Sequence, residues 1–221
     1  MGKLIVLEGL DGSGKSTQLG LLEKALANKN INFETVSFPA YDLPSCEPVK
    51  MYLGGEFGSA PGDVNAYAAS ILYAVDRFAS YKKNWGKTYE NGGLILAGRY
   101  VTSNAIHQAS KLEKEEWQPF LEWLYDLEYE KVGIPKPDLV IYLKVPVEAS
   151  QKLLSNRYNG DEEKKDIHEK DTEYLNRCRI AAEFVAEKSD WHIVECFENG
   201  KMRSREDISA EIEKIVFENI L

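Results

Sequence analysis

At 221 residues, 43% hydrophobic and 29% charged, the chain is long enough for one substantial core and has the composition of an ordinary globular protein. A net charge of −9 argues against a nucleic-acid backbone as the main partner, so any bound phosphate must be held by local groups against the overall field. No apolar run approaches membrane-spanning length. Cys46, Cys178 and Cys196 share no metal or redox spacing, and no leader or repeat is visible, so a cytoplasmic protein with reduced thiols and no membrane partner is expected.

Residues 3–7 form a short apolar run that predicts a buried strand, and residues 17–27 continue with helical composition. Between them, Gly9, Leu10, Asp11, Gly12, Ser13, Gly14, Lys15 and Ser16 match G-x-x-x-x-G-K-[ST], with Thr17 next. Strand, glycine loop and helix in that order are the context a phosphate-binding loop requires. Its N–H groups can cradle an anion, Lys15 can reach the outer phosphates, and the Ser16 hydroxyl is placed for Mg²⁺. A second strand is expected at 33–38, a short helix at 49–53, and a long helix at 64–83 capped by Asp63. Strands follow at 94–97, 139–145 and 191–196. Helices are expected at 102–110, 114–131, 147–157, 166–188 and 206–221. This alternation predicts an α/β fold with a parallel sheet covered on both faces and ligands beyond the carboxyl ends of the strands.

The loop alone does not separate GTPase, ATPase motor and kinase. A guanine-reading N-K-x-D motif after a late strand is missing; an ATPase needs an acidic end to a strand, whereas 94–97 runs into Gly98 and 139–145 contains Lys144. Other residues point to a small-molecule phosphotransferase. Asp11 sits inside the phosphate loop, where a carboxylate must hold metal or accept from a substrate hydroxyl, unless it faces solvent. Tyr73 and Arg77 are spaced i, i+4 and share a helix face, which suits a flat base bearing hydrogen-bond acceptors. The competing reading is a core tyrosine with an arginine paired to Asp76 or Asp63. Arg99 follows a strand directly and is placed to grip a phosphate in a bidentate manner. Arg157, Lys164 and Lys165 form a lid candidate at about 155–168, and Asp166 and Glu169 stand i, i+3 at an expected helix start. From the residues alone, capping and a solvated loop are the favoured account of that last group.

Taken together, these residues resemble the thymidylate kinase family, bacterial type, over nearly the whole chain. The resemblance lies in LEGLDGSGKSTQ (7–18), FPAY (38–41), ILYAVDR (71–77), GRYVTSNAIHQ (98–108), PDLVIYLKVPVEA (137–149) and DIHEKDTEYLNR (166–177). It implies a P-loop fold of the nucleoside monophosphate kinase type: a single kinase domain with a five-stranded parallel sheet and a lid. It also implies Mg²⁺-dependent transfer of the γ-phosphoryl of ATP to dTMP, and a homodimer. Carried over residue by residue, Lys15 and Ser16 hold ATP phosphates and metal, with the backbone of Gly12 and Gly14. Asp11 lies near the sugar and the metal. Tyr73 stacks on thymine, Arg77 reaches a base carbonyl, and Arg99 holds the acceptor phosphate. Asn104 lies where some members contact the base, Tyr41 on the phosphate side, and Arg157 in the lid. Asp166 and Glu169 flank the acceptor and metal.

Two positions depart from the family pattern. Gly98 replaces an Asp that orients the arginine and metal-bound water. His107 replaces a tyrosine beneath the sugar that helps exclude a 2′-hydroxyl. Another nucleotide or deoxynucleoside kinase, or a nucleotide-binding protein impaired by Gly98, are the alternatives at this stage.

Overall fold

A computed structural model describes residues 1–157, 161 and 166–221, without the side chains of residues 156 and 157. Its centre is a parallel five-stranded sheet in the order β2-β3-β1-β4-β5. The strands are β1 (Lys3–Glu8), β2 (Phe33–Ser37), β3 (Leu94–Gly98), β4 (Leu139–Lys144) and β5 (His192–Glu195). The central strand β1 is buried on both faces because its side chains alternate. Leu4 and Val6 join one core cluster; Ile5 and Leu7 join the other.

The first cluster lies under α3 (Ala66–Ser80), α5 (Val101–His107), α6 (Lys114–Tyr125) and α8 (Thr172–Lys188). The second lies under α1 (Lys15–Asn28) and α9 (Arg205–Asn219). The remaining helices are α2 (Glu47–Leu53), α4 (Gly86–Glu90) and α7 (Val147–Arg157), and β6 (Phe197–Glu198) pairs with β7 (Lys201–Met202) in a small hairpin that the sequence does not announce. Register places Leu7 opposite Gly98 and Glu8 opposite Tyr142, so β1, β3 and β4 end together at one edge of the sheet. No helix among the described residues is long and apolar enough to cross a membrane.

Several boundaries differ from those expected. The long third helix is capped by Asn65, whose side chain accepts from the Ala68 N–H at 2.8 Å, and not by Asp63. Asp63 instead accepts from Ala60 N–H in a preceding 3₁₀ turn. Beyond Ser80 the chain widens into a π-helical turn, Tyr81–Trp85, before α4. A second π-helical segment, Asp126–Lys131, ends α6. Helix α8 begins at Thr172, not at residue 166, because Asp171 caps it through Tyr174 N–H at 2.8 Å. Residues 167–170 form a turn in which Asp166 accepts from the N–H groups of His168 and Glu169, at 2.8 and 2.9 Å. An aspartate that binds backbone two and three residues ahead favours a turn over a continuing helix.

Candidate active site

The loop between β1 and α1 bends as its glycines require. Gly12 has φ 77°, and a Cβ there would stand 2.3 Å from the Ser150 carbonyl oxygen, so no other residue fits. Gly14, at φ 88°, precedes α1 and supplies no side-chain cap, so the first N–H groups of that helix face outward beside Lys15. Lys15 Nζ donates to the carbonyl oxygens of Gly9 and Leu10 at 2.7 and 2.8 Å. Leu10 is packed into the core, Ser13 is buried with no partner for its hydroxyl among the described residues, and Ser16 and Thr17 are exposed.

At the neighbouring strand end Arg99 occupies a left-handed backbone conformation, φ 66°, which turns it back across the sheet edge. Its Nη2 donates to Asp11 at 2.5 Å and its Nη1 to Ser103 at 3.1 Å; Glu8 lies 3.5 Å away. Burial pushes Asp11 up, but Arg99 and Lys15 outweigh it and hold the carboxyl well below the usual range. Glu8 is fully buried and serves as a hub. It accepts from Gly9 N–H at 2.9 Å and from the Thr102 and Ser103 hydroxyls, each at 2.7 Å. One carboxylate therefore ties the phosphate loop to the start of α5. In the sequence, the one sign of this role is that Glu8 is the last residue of a buried strand beside the phosphate loop.

A cleft open at its mouth extends from these groups. Asp11 and Arg99 form one end. Tyr73 and Arg77, on the inner face of α3, form another part of the wall with Tyr41, His107 and Asp166. Gln108 and His168, which had no assigned role, also line it. Gln108 is buried, and its Oε1 has no partner among the described residues. Asn104 is turned toward α3, where its amide donates to the Ser70 carbonyl at 3.2 Å. Glu169 is buried beyond Asp166, accepting from the Asp166 N–H at 3.3 Å. The Arg157 side chain and Lys164 and Lys165 lie outside the described residues.

Arg77 is not paired with Asp76 or Asp63. Asp76 anchors the segment after β2, accepting from Ala40 N–H at 2.7 Å and the Ser45 hydroxyl at 2.9 Å. Arg77 pairs instead with Glu128, which lies 51 residues further along the chain and is invisible to helical spacing.

Two histidines lie between the base-side and phosphate-side walls. His107 and His168 stack with centroids 5.9 Å apart. His107 Nε2 stands 3.3 Å from Arg99 Nη1, and its Nδ1 is 3.4 Å from Cys178 Sγ. Since Arg99 can only donate, Nε2 is the acceptor and the proton sits on Nδ1. His168 Nε2 is 2.7 Å from the Tyr52 hydroxyl, which accepts from Lys111 at 2.9 Å. Burial holds both imidazoles down: His168 at about 3 and His107 well below its ordinary value. The same burial lifts Asp166 to about 6, with help from Asp11.

Comparison with known proteins shows the family and the fold. The family described as thymidylate kinase matches residues 7–208. The chain is 30% identical over 189 residues to thymidylate kinase of Mycobacterium tuberculosis, covering 83% of this chain and 86% of the relative. It is 25% identical over 221 residues to that of Prochlorococcus marinus, covering 97% and 98%. Among solved structures, a thymidylate kinase from Candida albicans shares the fold, with TM-score 0.71 at 21% identity over 99% of this chain and 92% of that one. A family match spanning most of the chain, on a five-stranded parallel sheet with a phosphate loop at its edge, means that the chain belongs to the thymidylate kinase family.

Proposed function

We propose that the cleft is the acceptor site in which this chain, as an ATP-dependent enzyme of the thymidylate kinase family, transfers the γ-phosphoryl group of ATP to dTMP to give dTDP. One observation carries this reading. A single cleft runs from the phosphate-loop carboxylate Asp11 and from Arg99 to an aromatic ring and an arginine on α3, Tyr73 and Arg77. Its phosphate end and its base end thus line one and the same cleft. The acceptor phosphate would meet Arg99, with Tyr41 and Asp166 beside it. The base would lie against Tyr73, with Arg77 donating to a ring carbonyl and the unpaired Gln108 Oε1 accepting from a ring N–H. Asn104 would act through α3. His107, whose Nε2 is an acceptor, would lie under the sugar.

The ATP phosphates would lie in the loop from Gly9 to Thr17, on the backbone N–H groups at the start of α1, with Lys15 released from its own loop carbonyls to reach them. The attacking phosphate is already ionised near neutral pH, its second pKa being ~6, so no strong general base is required. The protein's part is to hold two anions in line and away from water. Arg99 and Lys15 do the holding, and Arg157, in a lid at about 155–168 of a single kinase domain, would cover the transferring group. The site also suits Mg²⁺. Ser16 offers an exposed hydroxyl at the loop's end, and Asp11 is kept ionised by its neighbours, so hard oxygen donors are present beside the phosphate cradle. With Glu169, these residues would hold the ion, which neutralises phosphate charge when bound.

The proposal includes a homodimer. The outer face of α3 carries Tyr67, Ile71, Val75 and Phe78, one apolar stripe left 39–51% exposed on the opposite side from Tyr73 and Arg77. Three free, buried cysteines support a cytoplasmic location. Family membership favours neither a nucleoside kinase nor an impaired nucleotide-binding protein.

The test is ADP release with Mg-ATP and a panel of dTMP, dUMP, UMP, dGMP, AMP and thymidine. The expected result is turnover that depends on dTMP and is much slower with the others. Thymidine outrunning dTMP, or dTMP binding with no turnover, would overturn the reading.

A further inference from the structure

Glu128 lies on the π-helical segment Asp126–Lys131, far from the phosphate loop, and no motif in the sequence marks it. It is fully buried, yet it carries a charge-bearing group into the core beside Arg77, itself 1% exposed. The pairing is two-point. Arg77 Nε donates to Glu128 Oε2 at 3.1 Å, and Arg77 Nη2 donates to Oε1. Arg77 Nη1 reaches the Tyr100 carbonyl oxygen at 3.4 Å. One edge of the guanidinium is therefore clamped from behind, and the remaining N–H donors of Nη1 and Nη2 lie on the edge away from Glu128, in a residue that lines the cleft beside Tyr73.

A buried ion pair is not in general a better source of stability than apolar side chains of similar volume. What a two-point clamp supplies is orientation, because a planar fork held at two nitrogens has no freedom to rotate. It also supplies charge balance: with Glu128 ionised, the base end of the cleft carries no net charge from this pair.

We propose that Glu128 is a positioning residue that sets acceptor specificity: by clamping Arg77 it presents fixed donors to a neutral base edge bearing a carbonyl, and disfavours a base with an amino group there. An amino group would point its own N–H donors at those of Arg77 and leave both unpaired. The widened backbone turn serves this end. Within Asp126–Lys131 the chain closes with Val132 N–H to the Leu127 carbonyl at 2.8 Å, five residues back, and Ile134 N–H to the Glu128 carbonyl at 3.1 Å, so the Glu128 backbone is pinned as well.

The proposal rests on Arg77 facing the base, and the experiment separates the two. Wild type, Glu128→Gln, Glu128→Asp and Arg77→Gln are assayed with dTMP and dCMP as acceptors at saturating ATP, with thermal melting and the KM for ATP measured on each. For Glu128→Gln, KM for dTMP is expected to rise about tenfold with kcat within threefold and KM for ATP unchanged. The dTMP over dCMP ratio of kcat/KM should fall about tenfold. Glu128→Asp, which keeps the charge at a shorter reach, should fall between the two. If Glu128→Gln does not fold, the Glu128→Asp ratio decides: an unchanged preference overturns the proposal. A folded Glu128→Gln with wild-type KM and preference, or with equal loss for both acceptors, also overturns it. If Arg77→Gln alone alters the preference, Arg77 faces the base and Glu128 is structural. If neither does, the assignment of Arg77 falls too.

Discussion

At the scale of single residues the site is governed by how few charges are left unbalanced. Arg99 meets two carboxylates, Asp11 at 2.5 Å and Glu8 at 3.5 Å, so it is already oriented although Gly98 brings no third. A Cβ at position 98 would meet Leu19 Cδ2 at 3.3 Å and Ser37 Oγ at 3.5 Å, contacts that a small shift of the leucine relieves. Gly98→Asp is therefore expected to fold and to change kcat for dTMP by less than about tenfold, whereas Arg99→Ala should lower kcat/KM by about 10²–10³, the usual cost of removing a donor from a developing charge. A gain of a hundredfold in Gly98→Asp would mean that the glycine cripples the enzyme. The histidines give a stability signature. Unfolded, His107 and His168 bind protons below about 6.5; folded, they do not until far lower pH. Their contribution is complete above that pH and declines as pH falls, by up to about 1.4 kcal/mol per pH unit for each. Asp166, at about 6, acts oppositely, gaining stability as pH drops from 6 toward 4. Burial keeps both imidazoles neutral, with help from Arg99 beside His107 and Lys111 beside His168, both charged throughout this range. Denaturant midpoints between pH 7 and 4 should thus fall in wild type and be nearly flat in His168→Gln.

At the scale of elements, α3 does most to join base recognition to the rest of the molecule. Its inner face carries Tyr73 and Arg77 into the cleft, and Asp76 beside them holds the chain after β2. Its start depends on one exposed side chain, Asn65. Asn65→Ala should cost about 1 kcal/mol in denaturant unfolding, and leave KM for dTMP close to wild type, since both site residues lie two turns or more into the helix. A large rise in KM would mean that the first turn controls the cleft. The two π-helical turns explain why helical spacing does not show where α3 and α6 give way to a wider helix within 64–83 and 114–131. A single widened turn breaks the 3.6-residue pattern without any proline or glycine to mark it. The opposite error at 166–188 has a residue-level cause: Asp166 and Asp171 each bind backbone ahead of them, and only the second opens a helix.

For the whole molecule, the question is what covers the outer face of α3. If two copies pack through Tyr67, Ile71, Val75 and Phe78, a charge in the middle of that stripe should separate them. The double substitution Ile71→Glu with Val75→Glu is expected to convert a dimer of about twice 25.0 kDa to a monomer in sedimentation velocity. Because Tyr73 and Arg77 lie on the other face of the same helix, dTMP affinity should weaken as the dimer is lost. A wild-type chain that sediments as a monomer at micromolar concentration would remove the dimer from the proposal.

The amino-acid sequence by itself determined the phosphate loop, the alternation of strand and helix, and the family. These are local patterns: a glycine loop between an apolar strand and a helix, and motifs whose chemistry lies within a few residues. Only the tertiary structure decided which charges meet. Arg77 with Glu128, Arg99 with Asp11 and Glu8, and His107 against His168 are brought together by a parallel sheet that sets strand ends distant in sequence side by side. Spacing can say that Arg77 shares a helix face with Tyr73. It cannot say which buried carboxylate balances its charge, because a buried ion is compatible with the fold only when a partner arrives from elsewhere in the chain.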